Sequence, residues 1–249
     1  MKTIILAAGY ATRLYPLTEN FPKPLLEVGG KTILDWLIED IHTSGLVEEY
    51  VVVSNHKLYG HFDSWAGSHD LPITVVDDGT STNDTRLGAV KDIQYAIEHR
   101  GIRDDALVIA GDNVLDFSLV PFIRFGLDND CSCVMCYEEN DPARQRRTAN
   151  ITVDAANAIT SYEEKPKEPK GSLAVPPFYF YKAEDILRIP EALEAGCGCD
   201  APGSFAAWLS GKTNMKAYRM PGSRYDIGNL ESYERIRTTY KGVKENAEN

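Results

Sequence analysis

Basic residues are in the minority. Only 26 lysines and arginines stand against 37 aspartates and glutamates in 249 residues, a formal net charge of −11. A surface that binds a nucleic-acid backbone needs clustered Lys and Arg, so this balance argues against nucleic acid as a partner. Any anionic ligand must be met by a few local cations. Long apolar runs are missing too: no stretch approaches the about 18 residues needed to span a bilayer. The N-terminus carries no basic-then-apolar leader with a cleavage site. The expectation is a cytoplasmic protein with no membrane partner. Cysteine is scarce and odd in number, at five, which without a secretory signal favours free thiols over a disulfide framework. Cys133-Val134-Met135-Cys136 and Cys197-Gly198-Cys199 could on paper ligate zinc. However, Cys131 to Tyr137 reads as a buried strand, and period-2 alternation sends Cys133 and Cys136 to opposite faces. Internal repeats, low-complexity linkers and appended hexapeptide repeats are absent as well.

What is present alternates. Thr3 to Ala7, Tyr50 to Ser54, Ile73 to Val76 and Ala106 to Ala110 read as strands. Between them, residues 33 to 44 and Leu87 to His99 read as amphipathic helices. Ile33, Trp36, Leu37 and Ile41 share a face, Thr32 is placed to cap with Asp35 three residues on, and Gly45 suits the C-terminal turn. Strand-helix alternation implies an α/β, Rossmann-like, mixed but mainly parallel sheet flanked by helices. After about residue 130 the strands follow one another: Cys131 to Tyr137, Ile151 to Val153, Ile159 to Glu164 and Ala174 to Tyr181. The turn-prone Asp154-Ala155-Ala156-Asn157 suggests a hairpin over 149 to 164. A last helix is expected from Leu230 to Tyr240. The length fits one domain over residues 1–240, with a frayed polar tail from 241 to 249.

The chemistry is concentrated where the first strand ends. Leu6-Ala7-Ala8-Gly9-Tyr10-Ala11-Thr12-Arg13-Leu14-Tyr15-Pro16-Leu17-Thr18 is followed by Pro22-Lys23-Pro24. Small residues let backbone amides approach an anion, and Arg13 and Lys23 add full charges. A Walker A loop would need Gly-Lys-Ser/Thr and a dinucleotide fingerprint G-x-G-x-x-G, and neither fits. Asp112 follows a buried strand, where open α/β sheets place ligand groups. Capping of the next turn would explain it equally well by itself.

The pattern L-A-A-G-x-(G/A)-(S/T)-R-L-x-P-L-T followed by P-K resembles the signature of the sugar-1-phosphate nucleotidyltransferases. Gly111-Asp112-Asn113 and Tyr225-Asp226-Ile227-Gly228 resemble that family's two aspartate motifs, and Glu163-Glu164-Lys165-Pro166 its E-K-P motif. The resemblance spans about residues 3 to 235 and is firmest at the N-terminal end. It implies the nucleotide-diphospho-sugar transferase fold, with residues 1–130 binding nucleotide and 131–240 the acceptor. It further implies Arg13, Lys23 and Asp112 as catalytic residues, and Asp112 with Asp226 holding Mg2+. Leu6, Ala8, Gly9, Asn83 and Gly88 would bind the nucleotide, and Glu164 and Lys165 the acceptor. The implied partners are a nucleoside triphosphate, of the pyrimidine type, and a phosphorylated small-molecule acceptor, in a chain for which a homo-oligomer is open.

Three departures matter. Ala11 stands where glycine is commoner, which is tolerable if φ is negative there. The loop Asp77 to Ala89 departs from Q-x-x-x-x-G-x-A, which leaves the base open. Pro176-Pro177-Phe178 replaces a stretch that usually carries glycine beside the sugar, so the acceptor pocket is expected to be reshaped. Asp200-Ala201-Pro202-Gly203-Ser204-Phe205 to Trp208 resembles a variant within the family. Two alternatives are therefore carried. One is a phosphocholine- or phosphonate-type cytidylyltransferase, and the other a non-catalytic nucleotide-sugar-binding regulatory subunit on the same fold.

Overall fold

Ten strands form one continuous sheet in the computed structural model, which describes residues 1–244. In chain order they are β1 (Lys2–Leu6), β2 (Glu49–Ser54), β3 (Ile73–Asp77), β4 (Ala106–Ala110), β5 (Cys133–Glu138), β6 (Ala149–Val153), β7 (Ile159–Glu163), β8 (Leu173–Val175), β9 (Phe178–Tyr181) and β10 (Lys216–Arg219). The spatial order is β7-β6-β8-β5-β9-β4-β1-β2-β3, with β10 pairing to β5. β4, β1, β2 and β3 are mutually parallel. The β9 strand joins them antiparallel through β4.

The strands are buried on both faces, so their alternation divides two cores rather than core from solvent. Ile5, Tyr50, Val52, Leu107, Ile109, Cys133 and Met135 face one core. Their neighbours Ile4, Val51, Val53, Val108, Val134 and Cys136 face the other. Cys133 and Cys136 thus lie on opposite sides of the sheet. Helix α1 (Ile33–His42) covers the first face, and α2 (Ala89–Arg100) the second. α1 begins at the expected cap: Asp35 N–H donates to Thr32 Oγ1, and Thr32 N–H donates back to Asp35, both at 3.0 Å. This reciprocal pair satisfies two of the helix's orphan donors.

Several boundaries differ from the expected ones. α2 starts at Ala89 rather than Leu87, because Gly88 before it has φ 92° and cannot be helical. The run Ala174 to Tyr181 is two strands, β8 and β9, since Pro176 and Pro177 cannot donate to a ladder. The last helix, α3 (Leu230–Thr239), stops one residue early. The expected fraying from Lys241 fails over its first residues: Gly242 sits against Trp36, and Lys244 pairs with Asp116 at 2.6 Å. Residues 245–249 lie outside the described part. Finally, the chain from 224 onward returns to the N-terminal half. Arg224–Asp226 pairs antiparallel with Asn113–Leu115, and Tyr233 and Tyr240 hydroxyls donate to the carbonyls of Glu27 and Leu115.

Candidate functional site

Because β1 is flanked by β2 on one side and β4 on the other, the sheet order reverses between β1 and β4. In open α/β sheets a crevice for ligands opens beyond the strand C-termini at such a point. A cavity of about 440 Å³ lies there, lined among others by Leu6, Ala8, Gly9, Arg13, Lys23 and Asp112. Its rim carries Asn83, Arg86, Gly88 and Asp92 together with Pro177, Asp200 and Pro202.

The first wall is fixed by the turn after β1. Ala7 N–H donates to Val53, Gly111 N–H donates to the Leu6 carbonyl, and the buried Asn55 side chain donates to the Ala8 carbonyl, each at 2.9 Å. A Cβ added to Gly9 would touch nothing within 4 Å. The room this glycine leaves is therefore outside the chain, which suits close approach of an anion to the backbone. Ala11 has φ 46°, in the left-handed region, so the negative φ that would make alanine tolerable there is not what the turn adopts. Its carbonyl is held by Leu14 N–H and the Thr18 hydroxyl, both at 2.9 Å, and these bonds offset a strain that glycine would avoid. The turn presents Arg13, which is exposed and has no acidic partner among the described residues.

Lys23 is only 7 % exposed. Its Nζ lies 2.7 Å from Asp112 Oδ2. Burial works against ionisation of Asp112, but Lys23 and then Arg224 more than offset it and hold the carboxyl below its usual range. Gly111 is required by packing, as a Cβ would come within 2.9 Å of Ile5 and 3.0 Å of Leu34. That contact sets Asp112 just beyond β4. Asp226 lies directly across the small ladder from Asn113, next to Asp112, and is exposed. It stands beside the cavity rather than in its wall. Among the described residues no group of three or more His, Cys, Asp or Glu is gathered. Two carboxylates of hard oxygen donors, leaving most positions to phosphate and water, fit the habits of Mg2+.

On the other rim, Gly88 is glycine for two reasons. Its φ is positive, and a Cβ would meet the Cys199 carbonyl oxygen at 2.6 Å. Ala89 N–H donates to Asp200 O at 3.3 Å and Val90 N–H to Cys199 O at 3.0 Å, so the 199–200 segment caps α2 from 110 residues away. Arg86 ties the same segments through Asp200 Oδ1, at 3.0 Å from Nε and 2.9 Å from Nη2. Asn83 accepts from Arg86 through its carbonyl at 2.8 Å.

Glu164 and Lys165 are not in the cavity wall. Lys165 is exposed with φ 48°. Glu164 packs on Gly203, where a Cβ would come within 2.1 Å of Oε2. Burial pushes its carboxyl up, with Lys165 pulling the other way. Gly203 follows Pro202, which does line the cavity, so Glu164 borders the site from behind that loop. Asn55, Asp92 and Arg224 were not anticipated, and Arg86 and Asp200 stand in stretches that the sequence singles out without a role for either residue. The Gly88 loop and the Asp200 segment each carried a signal in sequence, but nothing local joined them.

Three comparisons bear on this site. The family model for nucleotidyl transferases matches residues 2–242. The bifunctional protein GlmU of Methanococcus aeolicus is 31% identical over 97% of the chain, which spans 57% of that protein's length. The UTP--glucose-1-phosphate uridylyltransferase AglF of Haloferax volcanii is 29% identical, with 92% of this chain and 91% of that one covered. Among solved structures, a Bacillus anthracis chain assigned as a glucose-1-phosphate thymidylyltransferase superposes with a TM-score of 0.83 at 24% identity, covering 98% and 97% of the two chains. A UDP-glucose pyrophosphorylase complexed with UDP-glucose superposes with a TM-score of 0.80 at 18% identity, covering 96% and 97%. Both likenesses concern the fold.

Proposed function

The chain belongs to the nucleotidyl transferase family, and from that membership we propose that it joins a pyrimidine nucleoside triphosphate to a sugar 1-phosphate, releasing pyrophosphate. The observation that carries this reading is the convergence of Arg13, Lys23 and Asp112 on one cavity at the switch point of the sheet. An oxygen of the acceptor phosphate attacks the α-phosphorus in line, and the bond from that phosphorus to the β-bridging oxygen breaks. No covalent intermediate with the protein is needed, since an ionised phosphate is already a nucleophile. The protein's part is alignment and charge neutralisation.

The turn at Gly9 offers backbone to the triphosphate, and Arg13 neutralises the departing pyrophosphate. Lys23 contacts the α-phosphate or the acceptor phosphate. Asp112 and Asp226 would hold Mg2+, which when bound polarises phosphate oxygens and offsets their charge. Asn83 and Gly88 face the base, together with backbone at Leu6 and Ala8. Glu164 accepts from acceptor hydroxyls and Lys165 pairs with its phosphate, which requires the acceptor to reach beyond the main cavity. Residues 1–130 accordingly serve the nucleotide and 131–240 chiefly the acceptor, in one domain.

AglF, by its name, acts on glucose 1-phosphate with UTP, which supports the sugar assignment. A phosphocholine- or phosphonate-type acceptor is the second reading, favoured by the rigid Pro177 in the cavity wall. Pyrophosphate release from CTP, UTP, dTTP, ATP and GTP against a panel of hexose 1-phosphates, phosphocholine and a phosphonate, with Mg2+, tests both. Turnover with a hexose 1-phosphate is expected to dominate in kcat/KM. Preference for phosphocholine transfers the assignment to the second reading, and no turnover with any pair rejects both in favour of a binding role.

A further inference from the structure

One carboxyl in the cavity wall has nothing of the protein to bind. Asp92 sits in the first turn of α2 and lines the cavity, yet it is only 7 % exposed. Its Oδ1 is sealed and accepts no hydrogen bond from the described residues, while Oδ2 is not sealed and takes no protein donor either, which makes Oδ2 the oxygen a ligand in the cavity can reach. Asp78, whose charge acts on Asp92, also holds a buried oxygen, Oδ2, with no hydrogen-bond partner among the described residues. Three amides of the first turn are already committed: Ala89 and Val90 donate to Asp200 and Cys199, and Asp92's own N–H donates to Gly88 O at 2.9 Å. Burial, with the Asp78 charge adding to it, pushes the Asp92 carboxyl up to about 7.

An unpaired buried carboxyl costs stability. Held in a cavity wall, with no structural return visible in the fold, it fits a donor that arrives with the ligand. Triphosphate oxygens are acceptors and anions, and they belong with the cations Arg13 and Lys23. The donor must come from the nucleoside end. Ionised, as it is above about pH 7, the carboxylate only accepts hydrogen bonds. It matches an amino N–H and repels a carbonyl oxygen placed at the same point.

We propose that Asp92 selects the base of the triphosphate by accepting a hydrogen bond from an amino group on its edge, so that cytosine is taken in preference to uracil or thymine. This inference rests on the nucleotide-binding reading of the cavity. It adds a specificity residue that lies outside the motifs of the sequence.

The test is calorimetric binding of CTP, dCTP, UTP, dTTP and ATP at pH 8 with Mg2+, in the wild type and in Asp92→Asn and Asp92→Ala, alongside pyrophosphate release. The wild type is expected to bind CTP at least tenfold more tightly than UTP, dTTP or ATP. Asp92→Asn, which adds an amide donor at constant shape, should shrink the CTP/UTP ratio at least tenfold while the CTP/dCTP ratio stays put. Asp92→Ala should shrink it too, which covers the case in which the amide variant folds poorly. Equal or weaker binding of CTP in the wild type overturns the inference, as does a parallel loss for every base. A shift confined to CTP/dCTP overturns it as well and assigns Asp92 to the ribose. Asp92-dependent base selection without pyrophosphate release would keep this inference and reject the proposed reaction. Turnover with selectivity indifferent to Asp92 would do the reverse.

Discussion

Lys23 and Asp112 illustrate how a single contact constrains two residues. With Lys23 buried and 2.7 Å from Asp112, Lys23→Ala removes a phosphate-facing charge and also strips Asp112 of its main counter-charge. We expect a loss on the order of 3 kcal/mol in transition-state stabilisation, read from kcat/KM, together with a fall in melting temperature. The exposed Arg13 has no such partner, so Arg13→Ala should cost activity similarly and leave melting unchanged. Asp112→Asn and Asp226→Asn should each lower turnover roughly a hundredfold or more, and excess EDTA should abolish it in the wild type. Retained turnover in either variant would remove that residue from the metal site. Asp92 makes a prediction of unusual sign. Its folded value, near 7, lies above that of an unfolded carboxyl, so the folded chain binds the proton more strongly. Its contribution is therefore most favourable at low pH and is lost as pH rises from about 4 to about 7. Asp78, raised first by burial, acts in the same direction. Between pH 5 and 8 the melting temperature of Asp92→Asn should fall less steeply than that of the wild type, by an amount worth a few kcal/mol of stability; parallel curves would show that Asp92 is not titrating in the fold. Arg13, Lys23 and Asp112 were legible in sequence because their motifs are contiguous. Asn55 and Asp92 were not, since what identifies them is a carbonyl 47 residues away and a lack of partners, and neither leaves a local pattern.

At the level of elements, the loop Asp200 to Gly203 performs two tasks. Its backbone caps α2, and its glycine makes room for Glu164. The two tasks can be separated by substitution. Gly203→Ala places a methyl against the flexible end of Glu164, so the fold should persist while the acceptor KM rises about tenfold, an effect near 1.4 kcal/mol. Triphosphate affinity should hardly move. In Gly88→Ala the methyl meets backbone instead, at a positive φ, and a stability loss of about 1–3 kcal/mol is expected. Urea denaturation and acceptor-titration kinetics on both variants check the contrast. Reversed behaviour would mean that the loop serves the acceptor through Gly88 and the fold through Gly203. Helix α1 was readable to its cap because Thr32 and Asp35 lie within one turn. The start of α2 was misread by two residues, since an apolar Leu87 continues the helical periodicity and only the φ of Gly88 ends it. Pro176-Pro177 did announce a disturbance, and its form is a broken strand whose second half still pairs with β4.

For the whole molecule, the mainly parallel sheet followed from strand-helix alternation and from the connection rules for such sheets, while the strand order and the switch beside β1 come from the structure. Periodicity did not announce the return of residues 224–240 to the first half; only the motif resemblance that pairs Asp226 with Asp112 implied it. The strand Arg224–Asp226 is too short for periodicity to betray, and its partner lies 111 residues earlier. This small ladder has a consequence for how the protein comes into being. During synthesis the strands of the large sheet emerge and can begin to pair while the chain is still growing, but Asp226 is added 113 residues after Asn113, the residue it pairs with. Joining distant segments is slow because the intervening loop must close before any contact repays it. In refolding from denaturant, circular dichroism should therefore recover before the capacity to bind triphosphate, leaving an interval in which the chain is shaped but inert. Simultaneous recovery of the two signals would show that the ladder forms with the sheet rather than after it.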